Sequence, residues 1–133
     1  MTTVTTVTTI ETTATQDFRA AIKQRSEEFQ RLYFLIVDLT GKAVKDSVAK
    51  IDWRSIKESI AQAVLPLDDE QILEQACNVS GLSAELVWLK AEINYLYALK
   101  EIQARNKEWN SVYAIKKDIV QLNNKFQTLS TAS

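Results

Sequence analysis

Residues 16–43 read QDFRAAIKQRSEEFQRLYFLIVDLTGKA, and the way they fold decides the architecture of the chain. Phe18, Ile22, Arg25, Phe29, Leu32, Ile36, Leu39 and Ala43 follow one another at spacings of 4, 3, 4, 3, 4, 3 and 4. Positions so spaced share one face of an α-helix, so the pattern predicts a helix whose apolar stripe is interrupted only at Arg25. The part YFLIVDLTGK, residues 33–42, also has the β-branched and aromatic residues of a strand followed by a turn. A strand needs a partner, and no other stretch of the core sequence offers one of like quality. The spacing, unbroken through Ala43, settles on helix, with Gly41 weakening or kinking it without ending it. Because LYFLIV, residues 32–37, is apolar on nearly every side, this helix belongs at the centre of a bundle.

The rest of the chain agrees. Its 133 residues include two glycines and one proline. A β-sandwich or barrel needs a turn signal about every 8–12 residues, so the chain must consist of a few long elements. Asp52 suits an N-cap for a helix whose face is Trp53, Ile56, Ile60, Ala63 and Val64, stopped by Pro66. Asp68 and Gln71 form a capping box for a short helix that turns Ile72, Leu73, Ala76 and Val79 inward and closes at Gly81. Cys77 joins them as a small buried hydrophobe.

From Ser83, a further cap, no glycine or proline occurs to the end of the chain. An unbroken helix over 84–126 would be about 65 Å long, too long for a domain with a radius of gyration of about 15 Å. It must break near QARNKEWNS, residues 103–111, or project. Its second half has a coiled-coil seam at Val112, Ile115, Ile119, Leu122, Phe126 and Leu129, to be buried against the first helix or in a subunit interface. The expected fold is all-α: an irregular bundle of about four helices over 16–133 with a long C-terminal helix, and an extended N-terminal arm over 1–15.

Several chemistries are disfavoured. Histidine is absent, which removes the usual general base and the commonest transition-metal ligand. One cysteine allows no internal disulfide and suits a reducing, cytoplasmic compartment. Neither glycine lies in a phosphate-cradling loop. The acids Asp68, Asp69, Glu70 and Glu74 sit at a helix start, where they favour the dipole without binding a cation. The longest apolar run is six residues, so no membrane insertion is expected, and the N-terminus lacks the basic and apolar regions of a secretory signal. No enzyme activity, metal or cofactor is expected.

Binding is the remaining class. Net charge is −1, but residues 52–85 carry two bases and seven acids, and residues 86–133 seven bases and four acids. This asymmetry serves pairing within the chain or a head-to-tail contact between copies. Lys100, Arg105, Lys107, Lys116 and Lys117 interleave with aromatic residues in a pattern that nucleic acid contact would use, although the acids among them dilute the charge. Trp88, Tyr95, Trp109 and Tyr113 read most simply as core.

The arm, TTVTTVTTI at 2–10, has poor helix formers, high β-propensity and no charge. Such a segment suits addition to a partner's sheet edge, with Val4, Val7 and Ile10 as anchors on an adjacent subunit or another protein. The functional expectation is a self-associating assembly or adaptor subunit. The alternative is a small helical subunit of a nucleic-acid-handling complex. Deleting residues 2–13 should leave the melting transition nearly unchanged and weaken assembly, as measured by sedimentation.

Overall fold

The structure, a computed structural model, describes residues 18–45 and 52–132. The arm at 1–15, with Val4, Val7 and Ile10, lies outside the described residues. All regular elements among them are helices: α1 (residues 18–23), α2 (Glu27–Lys45), α3 (Trp53–Val64), α4 (Asp69–Ser80), α5 (Ala84–Arg105) and α6 (Trp109–Ala132). The expected count of about four becomes six among the described residues, because two long stretches each break once.

The first break falls at 24–26, where the stripe meets Arg25. Ser26 starts a new helix: its Oγ accepts from the Phe29 N–H at 3.1 Å, and Glu27 and Glu28 occupy the first turn. The Gln30 side-chain amide turns back and donates to the carbonyls of Lys23 (3.2 Å) and Arg25 (2.9 Å), covering the end of α1. Arg25 itself leaves the stripe to hold α3 in place. Its Nη1 donates to the Leu65 carbonyl at 2.8 Å and its Nη2 to that of Leu67, while the guanidinium stacks 3.8 Å from the Phe29 ring centroid. Phe18 and Ile22 are nevertheless buried with Phe29 and Leu32, so both sides of the break feed one core.

The second break makes α5 and α6 a hairpin. The Glu108 N–H donates to the Gln103 carbonyl (2.9 Å) and the Lys107 N–H to that of Ala104 (3.0 Å), the two bonds of a Schellman motif. Lys107 takes the left-handed position with φ 59°, where glycine is usual. A glycine-free turn of this kind gives little warning in sequence.

The remaining caps follow expectation. Asp52 accepts from the Ser55 N–H (3.3 Å) and hydroxyl (2.7 Å), and these bonds lower its pKa from the ordinary value of 3.8. Asp68 and Gln71 form the reciprocal capping box, and Gly81 closes α4 with φ 72°. Ser83 accepts from the Leu86 N–H. The acid beside the box has a further tie: Ser26 Oγ donates to Asp69 Oδ2 at 2.8 Å, joining the starts of α2 and α4.

Helix α2 is the hub and packs on α3, α4 and α5, while α6 packs on α5. Leu32, Tyr33, Leu35, Ile36 and Val37 are all buried on it. The buried Tyr33 hydroxyl donates to the Lys57 carbonyl at 2.8 Å, and burial pushes its pKa up to about 12. On α3 the inward small residue is Ala61 and not Ala63, which is exposed. On α4, Val79 is exposed, while Ile72 and Ala76 are buried and Leu73 and Cys77 pack partly buried against the core. Both helices are short, and the neighbours along α2 cover only a narrow stripe of each.

A second, smaller cluster joins Leu96 of α5 to Ile115 and Ile119 of α6, with Leu99 and Leu122 against it. The seam is thus used inside the chain, against α5. Val112, Ile115 and Ile119 are buried; Leu122, Phe126 and Leu129 are half-buried. Replacing Ile119, 5% exposed, by Asp would leave a cavity and an unpaired charge. The expected loss is about 3–5 kcal/mol of stability in urea unfolding, and an unchanged transition would contradict this packing.

Candidate functional site

Side chains on α2 advance by about 100° each, so the buried positions 32, 33, 35, 36 and 37 cover an arc of about 200°. The opposite side holds Arg31, Phe34 and Asp38, and here the packing around α2 is open. A groove of about 660 Å³ lies against it. From α2 it is lined by Arg31, Phe34, Val37 and Asp38, and from α3 by Trp53 and Lys57. Helix α5 supplies Asn94, Tyr95, Tyr97, Ala98, Leu99, Glu101 and Ile102. A second hollow of about 220 Å³ shares Arg31, Phe34 and Tyr95 with it and adds Glu27 and Gln30.

The groove is apolar with a few fixed charges. Phe34, Trp53, Tyr95, Tyr97 and Ile102 are each more than a third exposed. Phe34 meets Tyr33 edge to face, with ring centroids 5.0 Å apart. Arg31 bridges the α2 and α5 walls, ion-paired to Glu92 at 3.1 Å and lying 4.5 Å from the Tyr95 ring centroid. Gly41 explains how Trp53 sits: a Cβ at 41 would come within 2.1 Å of the indole ring. The helix-weakening glycine is therefore a seat for an aromatic side chain.

Two carboxylates reach the groove, and both are tied one turn along their own helices. Asp38 pairs with Lys42 at 3.0 Å, and Glu101 with Arg105 at 4.0 Å. Asp38 is half-buried and Glu101 exposed, and each is matched by a cation. Among the described residues no cluster of three His, Cys, Asp or Glu side chains could hold a metal ion, and no helix is long and apolar enough to cross a membrane.

The aromatic residues expected in the core are at the surface. Trp88 and Tyr95 are about as exposed as Phe34, and Trp109 and Tyr113 are 54% and 66% exposed. They lie on flanks of the α5–α6 hairpin that its mutual packing does not cover. Of the candidate nucleic acid contacts, Arg105 and Lys107 adjoin the hairpin turn; Lys100 lies over the Tyr97 ring at 5.0 Å and Lys116 over that of Tyr113 at 5.9 Å. Lys117 is exposed on α6. The groove itself was not legible in advance; Phe34 and Trp53 had signalled core.

No protein-family model, curated protein or solved structure matches this chain.

Gly41→Ala should cost about 1–3 kcal/mol by crowding the indole. In a Trp53→Ala background the same change should be neutral or slightly stabilising, since alanine is the better helix former. Equal effects in both backgrounds, measured by thermal unfolding, would show that the ring does not set the requirement for glycine.

Proposed function

We infer that the protein is a non-enzymatic assembly or adaptor subunit that acts through protein–protein contacts and self-associates. The observation that carries this reading is the gathering of Phe34, Trp53, Tyr95, Tyr97 and Ile102, all substantially exposed, around one groove. Scattered exposed apolar residues are ordinary, but a contiguous set rimmed by polar groups is typical of a contact surface. Aromatic side chains are also those that carry the most energy at protein interfaces. The charge asymmetry adds to this. Among the described residues, no acid of 52–85 forms an ion pair with a base of either flank.

A second reading, contact with single-stranded nucleic acid, is favoured by one observation: Tyr97, Trp109 and Tyr113 are exposed near Lys100, Arg105, Lys107, Lys116 and Lys117. Stacking bases on such rings beside cations is how sequence-tolerant binders work. Titration with single-stranded RNA and DNA separates the two, since contact with phosphates weakens steeply with salt.

The test of the first reading is sedimentation across concentration. The wild-type chain should shift from monomer to a larger species, with a melting temperature that rises with concentration. Phe34→Asp and Ile102→Asp, both at exposed positions, should keep the dilute melting temperature and lose the larger species. A chain that stays monomeric at about 0.5 mM would overturn self-association, since contacts that weak stabilise little at lower concentration.

A further inference from the structure

We propose that the groove between α2, α3 and α5 receives the N-terminal arm of a second copy of this chain, with Val4, Val7 and Ile10 seated among Phe34, Trp53, Tyr97 and Ile102. This rests on the self-association reading above and names its contact. An extended arm with β-propensity would ordinarily add to a sheet edge, but among the described residues there is no strand for it to join. What a second copy presents is the groove, whose wall is aromatic and aliphatic and whose carboxylates are already matched by Lys42 and Arg105. An uncharged segment of threonine and valine meets that surface without stranding a charge. Lys57, on the α3 wall, has no ion-pair partner among the described residues; Glu11, next to Ile10, supplies the complementary charge.

The place where the arm joins the fold fits an exchange. Phe18 is buried and anchors α1, and Arg25 ties the far end of α1 to the carbonyls after α3. Ile10 lies eight positions before Phe18, an extended reach of about 27 Å, roughly twice the domain's radius of gyration. That length can bridge two molecules, and a two-fold exchange fills both grooves with one kind of contact. The acidic excess of 52–85 and the basic excess of 86–133 add attraction between copies.

The test is complementation. Two full-fold variants are made: one lacking residues 2–13, which keeps the groove, and Ile102→Asp, which keeps the arm. Each alone should self-associate about a hundredfold more weakly than the wild type, and an equimolar mixture should form a heterodimer by sedimentation. In a Trp88→Phe, Trp109→Phe background, the emission of Trp53 should move to the blue as the concentration of the full chain rises. It should stay unchanged for the deletion and for Val7→Asp. Self-association of the deletion at wild-type strength overturns the proposal while leaving self-association itself standing. So does a blue-shifted Trp53 that is independent of concentration, which would place the arm in its own groove. Failure of the wild type to associate at all removes the underlying reading as well.

Discussion

The burial of Leu32, Tyr33, Leu35, Ile36 and Val37 on a single helix is the constraint from which the rest of the fold follows. An apolar arc of about 200° cannot be covered by one neighbour, because a helix pair buries only a narrow stripe of each partner. Helices α3, α4 and α5 all pack against α2, and the Arg25 bonds to the carbonyls just after α3 and the Tyr33 bond to one within it fix the orientation of that helix. The same arithmetic leaves one side of α2 uncovered. Phe34 stands there because consecutive apolar residues cannot all point inward, and the groove is the space that results.

The hairpin of α5 and α6 follows a different logic. Its cluster of Leu96, Ile115 and Ile119 is separate from the main core, and α6 packs mainly on α5. An element held along one seam opens at lower free energy than the hub. Its outward flanks keep Trp109, Tyr113 and Val120 at the surface. Burying these side chains together with the groove aromatics would stabilise a complex, as the proposed role in binding requires.

Several polar side chains serve the fold. Asp52, Asp68 and Ser83 cap helices, Asp69 receives the Ser26 hydroxyl, and Arg31 and Asp38 are ion-paired. Cys77 is a half-buried thiol packed against the main core. Beside many exposed charged side chains, the described surface keeps the aromatic and aliphatic groups around the groove and along α6. Apolar surface of this kind favours association through area removed from water, which needs shape more than reactive groups.

Helix positions were legible in the sequence because capping and stopping are local: an Asp or Ser oxygen reaches an N–H three residues on, and Pro66 and Gly81 act within their own turns. The spacing of residues 18–43 correctly gave helix over strand, since periodicity is a property of the chain itself. Facing was decided by the tertiary structure. The inward choice of Ala61 over Ala63, the exposure of Val79 and the surface positions of four aromatic residues depend on which neighbour covers which arc. The break at 24–26 also needed long-range partners, because Arg25 leaves the stripe for carbonyls 40 and 42 residues away. Gly41 shows the division within one residue: alone it is a weak point in a helix, and only the ring of Trp53, twelve positions on, makes it a seat.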